Sequence, residues 1–427
     1  SSGTDDDGWK ALGIANDDEL FLADYNGAPI ANNAGRLYRD PTAWMHIAVV
    51  WDTTSGTASA RAPKLYINGL RDTFDDYSDT PAQNEKWSYT NRNQEISIGR
   101  SNFSGSSTNY FDGYLADVHV LDGVAVGETN SVLDEFIERK NGICIPKSYS
   151  GSYGNNGFRL QFKQTGTSAN SSGIGADTKP SGTLYHFTVN NFGTQDSNLP
   201  DCPENNFCTL NPLARLNSGS NVTGTYSEGN LKLVHGGTGN TAHGYGTMRV
   251  NDFLTDGCYF EIYSTAVDAS RYYVGIIDPL SANSANEASY GFANKALINP
   301  ANNNYSSTNV VGGHAGTPSP ALSIGSDDIV GVAVKGTSIW FHVNGTYSRD
   351  LSNNLGNPST GANAFVTAIT DIANQDYFPY VGYSSNFEVN FGQDPSFNGK
   401  LTGGDVGTET PDDEVGVFKY PVPTGFK

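Results

Sequence analysis

Short segments of alternating apolar and polar residues recur along the first third of the chain. Residues 44–51 (WMHIAVVW) form an apolar run, residues 64–71 contain the pair Asn68-Gly69, and residues 111–121 alternate over a full strand length. Such alternation is typical of half-buried strands, and Asn-Gly supplies the two positive φ angles that a tight hairpin turn requires. The pattern predicts β-strands joined by tight turns from about residue 11 to residue 126.

The same pattern returns in the second half, from about residue 221 onward. Its strand-like segments are residues 229–234, 258–263, 271–277, 328–334, 338–345, 377–383 and 387–392. A composition with 49 glycines, 44 tyrosines and phenylalanines (23 and 21) and only 2 methionines also favours strands and loops. Together these features predict an all-β protein with two β-sandwich domains. Residues 280–322, rich in Asn, Ser and Ala, are predicted to be a surface loop.

One short helix is predicted, at residues 128–141. Val132, Leu133, Phe136 and Ile137 recur at helical spacing, acidic residues precede basic ones, and Gly142 can end the helix. The domain prediction is therefore a first sandwich with its closing helix at 1–145 and a second sandwich at 221–397. A connector rich in Ser, Gly, Asn and Thr occupies 146–220, and an extended C-terminal tail occupies 398–427.

The charge balance of the chain restricts its partners. Lys and Arg number 25 against 45 Asp and Glu, which gives a formal net charge of -20. An acidic surface repels phosphate backbones and anionic membranes, and no apolar run reaches the ~20 residues that span a bilayer. We therefore expect neither nucleic-acid binding nor membrane insertion.

Few residues suggest reaction chemistry or covalent cross-links. Cys144, Cys202, Cys208 and Cys258 lack zinc-site spacing, so a small Cys202–Cys208 disulfide loop and free core thiols remain the alternatives. The carboxylate pair of a glucanase, a Gly-x-Ser-x-Gly elbow and a His-Glu-x-x-His motif are all absent from the sequence. The sequence therefore predicts that the chain is not an enzyme.

The first half resembles the laminin-G-like, concanavalin-type jelly roll. The resemblance rests on the ordered motifs WMHIAVVWD (44–52), KLYING (64–69), ISIG (96–99) and FDGYLADVHVL (111–121). Domains of this family often bind calcium at a loop rim, where several carboxylate oxygens converge. The resemblance thus suggests calcium as a cofactor, with Asp75, Asp76 and Asp79 as candidate ligands; a solvated acidic loop is the alternative.

The second half resembles the SPRY fold, which is also a β-sandwich. The resemblance rests on the motifs CYFEI (258–262), YVGII (273–277), YGF (290–292), DIVGVAV (328–334), IWFHVNG (339–345), FPYVG (378–382) and FEVNFG (387–392). It implies a shallow recognition face made by loops at one end. The candidate ligand-binding residues are Tyr245, Arg271, Tyr290, Tyr305 and Tyr347; each could instead be an ordinary rim or core side chain.

The combination of both folds is similar to tail-fibre and other virion proteins of marine phages. This resemblance implies a virion protein that is assembled in the host cytoplasm and exposed outside the cell. Its implied partners are other virion proteins, further copies of itself in a homo-oligomer, commonly a trimer in fibres, and a glycan or protein of the host surface. The alternatives are a purely architectural capsid or tail decoration, and an extracellular glycan-degrading enzyme.

Overall fold

The structure, a computed structural model, is built almost entirely of strands and loops, as the sequence predicted. It describes residues 10–15, 17–24, 29–40, 43–72, 76–77, 82–84, 96–101, 109–111, 113–127, 129–140, 142–192, 200–213, 224–236, 242–267, 272–281, 295–299, 304–308, 324–350, 352–369 and 372–427. This part of the chain offers no helix with the length and apolar content for a bilayer crossing.

The chain divides into two compact units. The first comprises Ser1–Asn198 and Cys202–Asn206, and the second comprises Leu199–Asp201 and Phe207–Lys427. The strands of the first unit are β1 (Lys10–Ile14), β2 (Glu19–Asp24), β3 (Pro29–Leu37), β4 (Ile47–Val50), β5 (Lys64–Ile67), β6 (Leu70–Asp72), β7 (Asp76–Tyr77), β8 (Arg100–Ser101), β9 (Asn109–Tyr110), β10 (Val118–Val120), β11 (Ile137–Lys140), β12 (Ile143–Pro146) and β13 (Phe158–Leu160).

Two antiparallel sheets carry the core of the first unit. Their strand orders are β1-β2-β3-β7 and β4-β5-β6. Leu20 of β2 packs against Leu65 and Ile67 of β5, and all three side chains are buried. The alternation seen in the sequence therefore turns one face of each sheet towards the other.

The Asn-Gly turns of the two units are built alike. Asn68 and Asn344 have positive φ angles of 50° and 48°. The side-chain Oδ1 of Asn68 accepts a hydrogen bond from the backbone N–H of His46 (2.9 Å), and that of Asn344 accepts one from Ile329 (2.9 Å). Each asparagine thus closes its own hairpin and also fixes the neighbouring strand.

We expect Gly69→Ala to lower the free energy of unfolding of the first unit by about 2 kcal/mol, because left-handed backbone costs about 1 to 2 kcal/mol for alanine and crowding adds to it. A Cβ at Gly69 (φ 73°) would lie 2.6 Å from Cδ1 of Ile137 and 2.9 Å from the carbonyl oxygen of Leu133. Gly123 (φ 69°) has no atom within 4 Å of its Cβ position, so Gly123→Ala measures the backbone cost alone. If urea unfolding shows that Gly69→Ala and Gly123→Ala lower the free energy of unfolding equally, then crowding at Gly69 does not contribute.

The prediction of a helix at residues 128–141 is wrong. No described residue is in an α-helix, and residues 137–140 form strand β11. The backbone N–H of Leu133 donates to the carbonyl of Gly69 (2.8 Å), and Ser131, with a φ of 63°, accepts from the N–H of Arg71. Pairing with the neighbouring hairpin thus replaces the local hydrogen bonds that a helix would make, and the four-residue spacing of Leu133 and Ile137 only reflects their burial.

Most of the stretch expected as a connector is a folded part of the first unit. Within it, β13 pairs with β10. The buried carboxylate of Asp177 accepts hydrogen bonds from the backbone N–H groups of Arg159 (3.0 Å), Lys179 (3.1 Å) and Tyr185 (2.9 Å). The Lys179 ammonium, also buried, lies 3.5 Å from the same carboxylate. A single ion pair thus organises loops that contain few regular strands.

The second unit is a sandwich of one seven-stranded and one five-stranded antiparallel sheet. The orders are β14-β15-β25-β17-β21-β22-β23 and β16-β24-β18-β19-β20. The strands are β14 (Gly224–Ser227), β15 (Lys232–His235), β16 (Ala242–Tyr245), β17 (Cys258–Ala266), β18 (Tyr272–Ile277), β19 (Lys295–Asn299), β20 (Asn304–Thr308), β21 (Ile329–Lys335), β22 (Ser338–Val343), β23 (Thr346–Tyr347), β24 (Phe378–Tyr383) and β25 (Asn386–Asn390). Its main core includes Phe260, Val274 and Val332.

The prediction of a plain surface loop at residues 280–322 is wrong for part of that stretch. It contains strands β19 and β20, and β19 pairs with β18 in the five-stranded sheet. Ala296, Leu297 and Ile298 are buried there. Three apolar residues in a polar stretch are enough for a strand when a neighbouring strand supplies the hydrogen bonds.

The outer face of the seven-stranded sheet is covered by the C-terminal segment, residues 398–427. Phe418 packs edge-on against Tyr259 of β17, with ring centroids 5.1 Å apart, and Phe426 packs against Trp340 of β22. The segment expected as a tail is thus an integral layer of the second unit. Strands β17, β21 and β22 are buried on both faces, which explains their long apolar runs.

Candidate functional site

The three described residues that were predicted for ligand binding are divided between the two sheets of the second unit. Tyr245 is on β16 and packs against a buried cluster that includes Tyr380. Tyr347 is on β23 of the other sheet, half-buried, with its ring 5.1 Å from that of His342. Tyr305 is on β20 at the register position opposite Ile298. Arg271 and Tyr290 lie outside the described residues.

The predicted calcium ligands are largely outside the described residues as well. Asp75 and Asp79 are not described, and Asp76 opens β7 in register with Asn32. Among the residues that are described, no group of three or more His, Cys, Asp or Glu side chains could hold a metal ion. Calcium therefore stays a prediction from the resemblance.

An exposed aromatic surface follows β9 in the first unit. We call Tyr110 and Phe111 the aromatic strip. Tyr110 is 62% exposed and Phe111 is 49% exposed. The backbone N–H of Phe111 donates to the carbonyl of Gly99 (2.8 Å), and Tyr114 turns the other way to stack on Trp44. Large aromatic side chains this exposed are typical of surfaces that bind a partner.

A partly buried ion pair follows the aromatic strip in the chain. The carboxylate of Asp117 accepts hydrogen bonds from Nε (2.7 Å) and Nη2 (3.0 Å) of Arg159, and His119 Nε2 lies 3.2 Å from it. Burial raises the pKa of Asp117, but the contacts with His119 and Arg159 outweigh burial and lower the pKa to about 2. Asp117 has a φ of 50°, so the strand predicted for 111–121 is regular only at β10.

The second unit contains a fully buried carboxylate, that of Glu261 on β17. Its Oε1 accepts hydrogen bonds from the Tyr259 hydroxyl (2.8 Å) and from the backbone N–H of Tyr420 (2.8 Å). Its Oε2 accepts one from the backbone N–H of Lys419 (2.8 Å). Burial raises the pKa of Glu261 to about 7, against the effect of these hydrogen bonds. The carboxylate therefore holds the C-terminal segment on the sheet.

A buried histidine extends this network. His342 Nε2 is 2.7 Å from the Tyr259 hydroxyl, and its Nδ1 accepts a hydrogen bond from the backbone N–H of Gly345 (3.2 Å). Burial lowers the pKa of His342 to about 3, which keeps the ring neutral. The hydrogen bonds run from one backbone amide through His342 and Tyr259 to Glu261. Both ends are structural, so the network joins sheet, turn and C-terminal segment.

All four cysteines are free thiols, so the disulfide alternative is absent from the structure. Cys208 is buried, and burial raises the pKa of its thiol to about 11. Burial also raises the pKa of the Cys258 thiol, to about 12. Thiols with such pKa values carry little thiolate and are poor nucleophiles.

Comparison with known proteins agrees with the resemblance of the first half of the chain to the concanavalin-type jelly roll. Residues 1–129 match the Laminin_G_3 family model, described as the concanavalin A-like lectin/glucanases superfamily. The crystal structure of the SPRY domain of human HERC1 is similar to 37% of this chain over 86% of its own length, with 15% identity and a TM-score of 0.23. No curated protein matches the chain. The molecule is thus a β-sandwich protein, and its residues 1–129 are similar to a superfamily that is described as containing lectins and glucanases.

Proposed function

We propose that this chain is a phage virion structural protein, a tail fibre or similar appendage, that binds a glycan or protein on the host surface. The observation that carries the proposal is the aromatic strip, which lies inside the residues that match a lectin/glucanase superfamily. The placement in a virion is supported by the resemblance of the combined motifs to phage virion proteins. Assembly in the host cytoplasm and exposure outside the cell follow from that placement.

The chemistry of the aromatic strip suits a sugar ring. A pyranose has one face of C–H groups that packs on an aromatic ring, while its hydroxyls stay in contact with water and polar groups. Tyr110 offers a ring and a hydroxyl, and Phe111, the next residue in the chain, offers an apolar ring. Order on the protein side lowers the entropic cost of such contacts, and the Asp117–Arg159 ion pair fixes the backbone six residues after Phe111.

We propose that binding occurs without catalysis. The strongly shifted carboxyl groups of the two units, Asp117 and Glu261, are each engaged by groups of their own unit. Both therefore have a structural task that does not involve a substrate. Incubation of the protein with host polysaccharide is expected to release no reducing sugar.

We expect Tyr110→Ala and Phe111→Ala each to weaken binding at least about tenfold, because exposed aromatic anchors contribute most of the energy of such surfaces. Binding of the purified full chain to host cells and to an array of bacterial surface glycans measures the effect. The matched control is Phe192→Ala, which removes another exposed aromatic ring of the same unit. Binding that falls equally in all three variants, or that the wild-type chain lacks, would argue against the proposal.

An architectural role is the second candidate function, because β-sandwich proteins can also decorate a particle without a ligand. Imaging of intact particles separates the two. A distal position of the chain supports recognition, whereas burial among other subunits supports a purely structural role.

A further inference from the structure

A buried carboxylate outside the Glu261 network lies on the outer face of the seven-stranded sheet. It belongs to Glu388 of β25, whose side chain is 1% exposed. The sequence neighbours Phe387 and Val389 lie in the main core, and successive side chains of a strand point to opposite faces. Glu388 therefore faces the C-terminal segment, on the side away from the core.

This carboxylate holds an amine and an amide at once. Lys232 of β15 lies directly opposite Glu388 in register, and its Nζ is 3.5 Å from Oε1 of Glu388. The side-chain Nδ2 of Asn398, in the C-terminal segment, donates a hydrogen bond to Oε2 of Glu388. The two oxygens of one carboxylate thus bring a primary amine and a carboxamide from distant parts of the chain to the same place.

Asn398 is fixed by the residues around it. Its backbone N–H donates to Oδ2 of Asp394, and its φ of 54° is a conformation that asparagine adopts more readily than most residues. The preceding residue, Phe397, is fully buried, and its ring lies 5.7 Å from that of Tyr263 of β17. The amide therefore has little conformational freedom to lose when a second group reacts with it, and such preorganisation favours a reaction within one chain.

The burial of Glu388 helps to provide a reactive amine. Burial raises the pKa of Glu388, against the effects of the hydrogen bond from Asn398 and of the nearby lysine charges. A carboxylate with a raised pKa takes a proton from a neighbouring ammonium more readily. This proton transfer leaves Lys232 as a neutral amine, which is the form that attacks a carbonyl carbon.

We propose that Lys232 and Asn398 join in an intramolecular amide bond, with Glu388 as the proton carrier. The Nζ of Lys232 attacks Cγ of Asn398, a C–N bond forms, and the bond from Cγ to Nδ2 breaks. Glu388 takes two protons in turn from the lysine nitrogen and passes them to Nδ2, which leaves as ammonium. The carboxylate ends as it began, and the reaction needs no oxidant, reductant or other molecule.

Lys400 is the competing amine, because its Nζ lies 3.9 Å from the same carboxylate oxygen. It is farther from Glu388 than Lys232 is, and more exposed, at 36% against 27%. It also lies only two residues after Asn398, so a bond between them would close a small ring within one turn of chain. Lys232 is therefore the expected partner, and the bond would tie strand β15 to the C-terminal segment.

The intact mass of the purified, denatured full chain tests the bond. We expect the wild-type mass to fall below the mass calculated from its sequence by one ammonia, whereas Lys232→Arg and Glu388→Gln are expected to keep their calculated masses. Lys400→Arg is the matched control, since it removes the other lysine beside Glu388 and should still lose one ammonia. Thermal unfolding verifies that each variant is folded. A wild-type chain with its full calculated mass, or a folded Lys232→Arg that lacks one ammonia, would overturn the proposal.

A cyclic imide at Asn398 also releases ammonia, because the backbone nitrogen of Gly399 can attack the same amide carbon. Tryptic digestion followed by tandem mass spectrometry separates the two products. The proposed bond protects Lys232 from trypsin and joins residues 216–249 to residues 350–400 in one branched peptide. Hydroxylamine leaves this bond intact but opens a cyclic imide. Loss of ammonia without the branched peptide contradicts the bond to Lys232. Neither measurement involves a glycan, so the result is independent of the proposed function.

Discussion

Replacement of Phe418 by alanine should lower the free energy of unfolding of the second unit by about 3 to 5 kcal/mol. Phe418 is 1% exposed and lies in one buried cluster with Tyr259 and Trp340. Truncation removes this apolar contact and leaves a cavity between the C-terminal segment and the sheet. Denaturant unfolding followed by tryptophan fluorescence is a suitable measurement, because Trp340 lies in the same cluster.

Val415→Ala is the matched control for Phe418→Ala. Val415 is in the same segment but exposed, so its truncation should change the free energy of unfolding by no more than about 0.5 kcal/mol. If the two variants lost similar amounts of free energy of unfolding, the C-terminal segment would not be part of the folded second unit. The burial of β17, β21 and β22 on both faces would then be contradicted.

Glu261 should make the second unit less stable as the pH rises. Burial raises the pKa of Glu261 from 4.5 to about 7 in the folded state. The folded protein thus holds a proton that the unfolded chain has released, and this stabilising effect is complete below pH 4.5 and lost as the pH rises through about 7. A shift of this size corresponds to about 3 kcal/mol.

The buried histidines act in the opposite direction. Burial lowers the pKa of His342 to about 3 and that of His243 to about 4, so both oppose folding once the pH falls below their ordinary value of 6.5. The effect of Glu261 must therefore be measured as a difference between two proteins that share these histidines.

Glu261→Gln is the variant that isolates the carboxyl group. Glutamine replaces one acceptor oxygen by an NH2 group, which changes the stability by an amount that does not depend on pH, so only the change with pH is informative. Between about pH 5 and pH 8, we expect the stability of wild type relative to Glu261→Gln to fall by about 3 kcal/mol. Chemical denaturation at a series of pH values measures it, and parallel curves for the two proteins would show that Glu261 does not titrate in this range.

Sequence patterning predicted the strands well wherever a segment is apolar on at least one face. Residues 258–263 and 328–334 were predicted as strands and are parts of β17 and β21. The Asn-Gly turns were also predicted, because their positive φ angles depend on local residue types. The second role of Asn68 and Asn344, as acceptors for a neighbouring strand, depends on residues distant in sequence and has no local signal.

The errors arise where contacts between distant residues decide the local structure. Residues 128–141 have helical spacing, but Leu133 takes its hydrogen bond from the hairpin at Gly69. Residues 295–299 are too short and too polar in their surroundings to stand out, but β18 supplies a pairing edge. The C-terminal segment has no strand pattern because it packs through single aromatic anchors.

The candidate site was harder to infer than the fold. The motif FDGYLADVHVL contains both the outward Phe111 and the inward Tyr114, and parity alone does not tell which of them faces solvent. Asp117 lies in the same motif, but its partner Arg159 lies 42 positions away, so no local signal marks the ion pair. Exposure and ion pairing both depend on the assembled sheets, so only their residue types could be read from the chain.

The hydrogen bonds between Glu261 and the C-terminal segment can form only late in synthesis. They join residues that are 158 and 159 positions apart, and the ribosome needs roughly 8 to 30 seconds to add that many residues. Throughout this interval β17 has emerged while its outer aromatic face has no cover. Chaperones and proteases would meet the nascent chain at that face, so the yield of folded protein should depend on how quickly translation reaches residues 419 and 420.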